Sequence, residues 1–167
     1  MLRYWLTFVV LLGAFHASLT VGERFWAAVD AGTASLLAWC LSLFGHGARA
    51  HRAVVTSSLY SVTIVHECTA VHPIAIFTSA VIAYPLAWRA RLLGIAVGIP
   101  ALLIINQVRL VSLCYIGRWY PASFETAHLL VWQSMIVLLT ALLFVVWILI
   151  AARRYEAPRG AGVMLRS

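Results

Sequence analysis

The chain has 167 residues, of which 63% are hydrophobic and only 10% are charged. About a quarter of the residues are charged in a typical soluble domain, so this composition excludes a water-soluble fold. The twelve basic residues are all Arg and stand against five acidic residues, which gives a formal net charge of +7. They lie singly or in pairs between long apolar runs, as in the cytoplasmic loops of membrane proteins, so we expect a membrane and not a nucleic acid as the partner.

The first apolar run covers residues 4 to 22 and follows Arg3. It is longer than the core of a signal peptide, which has about 7 to 15 residues, so we interpret it as a retained membrane span, with a cleaved signal as the alternative. The next run, residues 25 to 44, contains Asp30, and an acidic residue is costly inside a bilayer. We therefore predict an external helix at the membrane surface here, with a fifth span as the alternative.

The segment before Cys68 has the pattern of a β-hairpin outside the membrane. Two short runs rich in β-branched residues, at 54 to 55 and at 62 to 65, flank the polar residues 56 to 58. Such runs joined by a polar turn are typical of a hairpin. The external helix and the hairpin together form a predicted outer segment, residues 23 to 67.

Three further apolar stretches predict membrane spans: residues 68 to 88, 92 to 116 and 129 to 152. The second of them is interrupted only by Arg109. Since each span needs about 20 residues, we predict that residues 1 to 167 form a single integral membrane domain. The expected fold class is an all-α polytopic membrane protein with four transmembrane helices, or five if the external helix crosses.

The Arg residues predict the orientation of the chain, because Arg beside a span marks the cytoplasmic side. Arg89 and Arg91 lie between the second and third of the four predicted spans. The tail, residues 153 to 167, carries four more: Arg153, Arg154, Arg159 and Arg166. With these segments in the cytoplasm, Cys68 and His128 both begin helices at the outer face of the membrane.

Cys68 lies where the β-rich segment meets a helix, because Pro73 is tolerated mainly in the first turn of a helix. The amide groups and dipole of a helix N-terminus favour a thiolate over a thiol and can stabilise a developing oxyanion. The adjacent Glu67 opposes this effect if it faces the sulfur. The alternative is that Cys68 is a small buried apolar residue.

Arg109 is the strongest single indication of a functional site, because a guanidinium inside an apolar helix is costly and is normally tied to a partner or a function. Asn106 lies three residues earlier and therefore on the same helix face. With the helix ending at Gly117, Arg109 lies roughly 10 Å below the outer end. The alternative is an Arg that snorkels to the outer lipid headgroups.

His128 follows Ser123 and Thr126, either of which can cap the final helix. An imidazole at the membrane surface exchanges protons readily and is a natural general acid or base for a thiol. The alternative is an interfacial His without a role. Its expected place opposite Cys68 and Arg109 favours the functional interpretation.

The remaining His residues raise the question of a metal or haem site, with His16 inside the first predicted span and four more around the outer segment. None of them forms a helical ligand pair or a metal-binding motif, so we expect no metal and no cofactor. A noncatalytic membrane subunit or a haem-bearing electron-transfer protein is the alternative function. Cys40 and Cys114 lie in apolar stretches and are interpreted as packing residues.

Three motifs taken together resemble those of one family. A Cys at position 68 opens one helix, Asn106-Gln-Val-Arg109-Leu lies in the next, and Phe124-Glu-Thr-Ala-His128 opens the last. In order, spacing and topology they are similar to the exosortase and archaeosortase family of membrane cysteine transpeptidases, most closely the exosortase H type. The similarity covers about residues 45 to 150.

One position departs from that family. Thr69 and Ala70 follow the Cys, where the family usually has Ser or Asn and then Gly. A Gly would ease the approach of the backbone to a substrate.

The resemblance implies a multi-pass enzyme of the bacterial inner membrane with its active site facing the periplasm. Its substrates would be exported proteins with a C-terminal sorting signal, made of a short motif, an apolar helix and an Arg-rich tail. Cys68 would be the nucleophile that forms a thioester, Arg109 the catalytic Arg and His128 the third member. Apart from the resemblance, we expect Asn106 and Glu67 to support the substrate or the oxyanion. An acceptor, for which the family suggests an amine of a membrane lipid, would then receive the protein.

Overall fold

The computed structural model describes residues 2–19 and 22–155, and it is mostly helical. The predicted fold class, an all-α polytopic membrane protein with a small sheet, is confirmed. The elements follow in this order along the chain: α1 (Leu2–Leu19), α2 (Glu23–Leu43), β1 (Arg49–His51), β2 (Val54–Thr56), β3 (Val62–Thr63), a 3₁₀ turn (His66–Cys68), α3 (Val71–Ala83), α4 (Trp88–Trp119), a second 3₁₀ turn (Pro121–Ser123), α5 (Phe124–Thr126), a π-helical turn (Ala127–Trp132) and α6 (Gln133–Tyr155).

Helices α1, α3, α4 and α6 pack together as a bundle. At one end of it the Tyr4 ring lies 6.1 Å from the Tyr84 ring, and the Trp147 indole N–H donates a 3.1 Å hydrogen bond to the Ala90 carbonyl. We call this the arginine end, because the neighbouring basic residues are Arg89, Arg91, Arg153 and Arg154. Two further arginines of the predicted tail, Arg159 and Arg166, lie outside the described residues.

The opposite end of the bundle, which we call the site end, brings the end of α1 to the start of α3. The ring centroids of His16 and His72 are 6.4 Å apart there. Helix α1 therefore runs from the arginine end to the site end, and His16, which we expected inside the first span, lies in the last turn of this helix. Cys68 lies just before α3 at the same end.

Helix α2 begins and ends at the site end. Near its start the Trp26 ring stacks on His72 at 5.9 Å, and just after its end His46 hydrogen-bonds the Tyr115 hydroxyl at 2.7 Å. The helix packs on β1, β2 and α4. By length and composition Arg24–Leu43 could cross a membrane, so its predicted position on the membrane surface stays a prediction.

Three helical stretches among the described residues are long and apolar enough to span a membrane: Arg24–Leu43, Trp88–Trp119 and Pro121–Ala151. The predicted span 68 to 88 is wrong in length, since α3 has only 13 residues. That is about 20 Å of helix, against a hydrocarbon core of about 30 Å. The helix ends before Tyr84, which has an extended ψ of 132°, because a residue that precedes a proline, here Pro85, disfavours helical geometry.

The other predicted spans correspond to helices of the structure. Residues 4 to 22 correspond to α1, although residues 20 and 21 lie outside the described part. Residues 92 to 116 lie within α4, which is longer at both ends. Residues 129 to 152 lie within the π-helical turn and α6.

A three-stranded antiparallel sheet of order β1-β2-β3 precedes the 3₁₀ turn of Cys68. The predicted hairpin is its β2–β3 pair, in which Val55 lies opposite Val62. Strand β1 was not predicted, because Arg49–His51 contains no β-branched residue that would indicate a strand. Arg52 closes the turn between β1 and β2 with a φ of +51°.

Two groups of buried side chains stabilise the fold. One lies between α2, the sheet and the site end of α4, and its members include Leu37, Leu41, Val55, Ile64, Cys68, Leu110 and Cys114. The other lies inside the bundle and is formed by Phe77, Val81 and Leu102. Cys68 thus belongs to the core that joins the outer segment to the bundle, which fixes its position relative to α4.

Candidate active site

Cys68 lies in a single 3₁₀ turn between β3 and α3. Its backbone N–H donates a 2.7 Å hydrogen bond to the Val65 carbonyl, and the Thr69 hydroxyl donates one of 2.7 Å to the carbonyl of His66. The Cys68 side chain is 7% exposed. It is therefore held in a closed turn ahead of α3, whose N-cap residue is Ala70.

His128 approaches Cys68 from the last helical segment. Its Nε2 atom lies 3.5 Å from Cys68 Sγ, within hydrogen-bonding distance for sulfur. The residue belongs to the π-helical turn Ala127–Trp132, and such turns are rare and frequently occur at functional sites. The predicted cap is wrong, since neither Ser123 nor Thr126 caps a helix with its side chain.

Asn106 holds the backbone of Cys68. Its Nδ2 donates a 3.1 Å hydrogen bond to the Cys68 carbonyl, and the side chain is 1% exposed. Its Oδ1 is buried and has no hydrogen-bond partner among the described residues. The amide donor that we expected to face a substrate thus bonds the backbone of Cys68.

Arg109 lies on α4 one turn after Asn106 and is 2% exposed. A buried guanidinium in an apolar helix needs compensation, and the described residues offer no hydrogen-bond partner to its Nε. Its charge interacts with Cys68. The guanidinium therefore lies close to the thiol as a buried positive charge, and it does not snorkel to the surface.

Glu67 is placed differently from the other candidates. Its side chain is 64% exposed and pairs with His66 at 2.8 Å. The structure brings Cys68, Asn106, Arg109 and His128 together, but it leaves the Glu67 carboxylate on the surface.

Burial has the largest effect on the pKa of the Cys68 thiol and raises it above its ordinary value. A backbone hydrogen bond from Val65 to the thiol and the charge of Arg109 lower this pKa, while Glu67 and Asp30 raise it. Cys68 lies in the turn ahead of the helix, as expected, and its burial outweighs the effects that lower its pKa. A base has to remove its proton before the sulfur can attack a carbonyl.

A cavity of about 130 Å³ adjoins Cys68 and His128. Tyr60, from the loop between β2 and β3, and Phe124, from α5, form part of its wall, and their ring centroids are 5.6 Å apart. Phe124 also stacks on His128 at 6.0 Å. Phe124 therefore packs against the imidazole that approaches the thiol, and Tyr60 packs against Phe124.

The sequence patterns alone did not reveal this role of Tyr60. Its ring packs against the backbone of Gly117, where a Cβ would lie 3.0 Å from the ring. A Gly on α4 facing an aromatic residue is the only local signal of this contact.

Among the described residues, no group of three or more His, Cys, Asp or Glu side chains is arranged to hold a metal ion. His16 and His72 are close to each other, but Trp26 stacks on His72. The three cysteines are free thiols.

The comparison with known families identifies the chain. Residues 1–147 match the family model described as transmembrane exosortase. The chain belongs to the transmembrane exosortase family. Searches of curated proteins and of solved structures gave no match. The family resemblance inferred from the three motifs is confirmed, and this exosortase is a membrane protein with several apolar helices.

Ala70 of this exosortase occupies the position at which the family resemblance leads one to expect Gly. Its φ of −79° and ψ of 2° lie in a region that any residue can adopt. The backbone after Cys68 therefore forms the turn without glycine.

Proposed function

We propose that this exosortase is a membrane cysteine endopeptidase and transpeptidase that cleaves a C-terminal sorting signal of exported proteins. The observation that supports the proposal is the 3.5 Å distance between Cys68 Sγ and His128 Nε2, beside the buried charge of Arg109. A nucleophile within reach of a base, with a fixed positive charge nearby, is the arrangement that acyl transfer requires.

In the first half of the reaction, Nε2 of neutral His128 takes the proton from the Cys68 thiol, and the sulfur attacks the carbonyl carbon of the scissile peptide bond. The carbonyl oxygen becomes an oxyanion, which the Arg109 guanidinium stabilises as a preorganised charge. When the tetrahedral intermediate collapses, the C–N bond breaks and His128 gives its proton to the leaving amine. The exported protein is then bound to Cys68 as a thioester.

In the second half, an acceptor attacks the thioester carbon and the C–S bond breaks. His128 takes the proton of the attacking amine or water and returns it to the Cys68 sulfur, which restores the starting state. An amine of a membrane lipid gives a transferred product, and water gives a free carboxylate. Asn106 keeps the Cys68 backbone in place during both halves by its hydrogen bond to the carbonyl, and we assign no step to the exposed Glu67.

The location that fits this chemistry is the bacterial inner membrane, with the site end of the bundle facing the periplasm. The arginine end carries Arg89, Arg91, Arg153 and Arg154 and would face the cytoplasm under the positive-inside rule. An exported protein whose apolar helix remains in the membrane would present the residues just outside that helix at the level of Cys68. This geometry explains why the substrate would carry its cleavage motif directly before a transmembrane segment.

The test uses an exported protein whose gene lies near the gene of this exosortase and whose C-terminus consists of a short motif, an apolar helix and an Arg-rich tail. We expect the wild type and a Cys40→Ala control to remove the signal when co-expressed with it, and Cys68→Ala to leave the precursor uncut at equal membrane abundance. A hydroxylamine-sensitive adduct of the substrate on Cys68 identifies the thioester. Full cleavage by Cys68→Ala would overturn the proposal.

The mass of the product distinguishes the two outcomes of the second half-reaction. A C-terminus that carries the mass of an acceptor indicates transfer, and a free carboxylate indicates hydrolysis. Either result is compatible with nucleophilic attack by Cys68, so this measurement decides the acceptor and not the nucleophile.

A further inference from the structure

The cavity of about 130 Å³ beside Cys68 opens onto the reacting sulfur itself, since both Cys68 and His128 line it. The rest of its wall comes from the sheet region, from α4 and from α5: Tyr60, Val62, Thr63, Val65, Leu110, Leu113, Cys114 and Phe124. No Arg, Lys, Asp or Glu among the described residues lines it. It is thus a small apolar recess at the nucleophile.

We propose that this cavity is the subsite for the side chain of the substrate residue whose carbonyl forms the thioester, and that it selects an uncharged aliphatic side chain. The inference rests on the proposed function and adds the substrate preference of the same site. A thioester joins the acyl carbon directly to Sγ, so the side chain of that residue has to lie in the space next to the sulfur.

The charges around Cys68 support this assignment. Asn106 and Arg109 do not line the cavity, although Asn106 bonds the Cys68 carbonyl and Arg109 acts on the thiol. Along one face of α4 the buried polar pair is followed by the buried apolar residues Leu110 and Leu113. The site therefore has a charged side for the oxyanion and an apolar side for the side chain.

The volume and lining limit which side chain enters. An apolar cavity of about 150 Å³ holds a benzene ring, so this cavity accommodates an aliphatic side chain up to about the size of leucine and excludes an indole. A charged side chain would lose its hydration, and no described Arg, Lys, Asp or Glu lines the cavity to pair with it, which is strongly unfavourable. Leu113, which is 4% exposed, is the residue that we expect to set the size limit.

The test measures how fast methyl and benzyl methanethiosulfonate form mixed disulfides with Cys68 in the full-length protein, quantified on the Cys68 peptide by mass spectrometry. Leu113→Trp fills the cavity and should lower the benzyl-to-methyl rate ratio at least about tenfold, because overfilled cores tolerate added volume poorly. The matched control is Val108→Trp, which is on the same helix but 55% exposed, and it should leave the ratio unchanged. An equal ratio in Leu113→Trp and wild type overturns the proposal.

A second variant covers the case in which Leu113→Trp does not fold. Leu113→Ala enlarges the cavity and should raise the rate of a naphthylmethyl reagent relative to the methyl reagent, and an unchanged ratio again overturns the proposal. These rates need no enzymatic activity. If the ratios shift but the protein forms no adduct with a sorting substrate, the cavity lies at Cys68 as described and the proposed function is wrong. If an adduct forms but the ratios do not shift, the proposed function stands and the subsite proposal is wrong.

Discussion

Sγ of Cys68 lies 3.5 Å from Nε2 of His128, although the two residues are 60 positions apart in the chain. Cys68 comes from a 3₁₀ turn after the sheet, and His128 comes from a π-helical turn at the start of the last helical segment. Phe124 stacks on the imidazole, and Asn106 holds the carbonyl of Cys68. Each partner is thus fixed by its own local contacts, and this leads to specific expectations for variants.

His128→Ala should lower the rate of signal cleavage by a factor of about 10² to 10⁴, because general acid and base catalysis typically accelerates a reaction by a factor of that size. Removal of the signal from a co-expressed substrate measures the rate. His51→Ala is the matched control, since His51 is exposed on β1, and it should cleave like the wild type. Equal rates for the two variants would show that His128 moves no proton.

Arg109→Lys should lower cleavage by about 10² to 10³, comparable to the loss of one oxyanion-hole donor. Lys keeps the positive charge but lacks the planar set of donors that Arg presents. Arg118→Lys makes the same change at an exposed position in the last turn of α4 and should leave cleavage unchanged. Wild-type activity in Arg109→Lys would mean that charge alone is sufficient.

Asn106→Leu should destabilise the protein, because it leaves the Cys68 carbonyl without its 3.1 Å hydrogen bond. An unsatisfied buried polar group costs about 1 to 3 kcal/mol of unfolding free energy. Thermal unfolding in detergent measures the loss, and the alkylation rate of Cys68 reports the altered turn. Val108→Ala, at an exposed position of α4, is the control. Unchanged unfolding and alkylation in Asn106→Leu would contradict the positioning role.

The pH dependence of Cys68 alkylation tests the electrostatics of the site. The rate should rise with pH and reach its midpoint above the ordinary thiol pKa of about 8.5, because burial raises the pKa of Cys68. Glu67→Gln should move the midpoint down, since Glu67 raises this pKa, and Arg109→Met should move it up, since Arg109 lowers it. Arg118→Met is the control. A wild-type midpoint below the ordinary value would refute the buried-thiol description.

Gly94→Ala should destabilise the bundle, because its Cβ would overlap the Trp147 indole, which donates a hydrogen bond to the Ala90 carbonyl. Overfilling a packed core typically costs about 1 to 3 kcal/mol. Gly32→Ala is the matched control, since nothing lies within 4 Å of its Cβ, and it should be neutral or slightly stabilising. Thermal unfolding of both variants in the same detergent measures the difference, and equal unfolding temperatures would contradict the close packing.

Composition and local pattern were sufficient for the class of the protein and for the choice of candidate residues. A chain that is 63% hydrophobic has to place its helices in a membrane, because apolar surface of that extent is not compatible with water. Arg109 stood out for the same reason, since desolvating a charge is costly wherever the helix packs. These are properties of a segment and its solvent, so they can be read without knowing the fold.

The Arg pattern predicted that Cys68 and His128 lie at the same membrane face, but only the tertiary structure decided which side chains make contact. Cys68, Asn106, Arg109 and His128 come from distant parts of the chain, and only packing determines that the thiol faces an imidazole while Glu67 stays exposed. The length of α3, the third strand, the π-helical turn and the wall built by Tyr60 also depend on contacts between elements. The physical reason is that periodicity and burial cost act within one element, whereas distances and pKa shifts arise between elements that come together only in the folded chain.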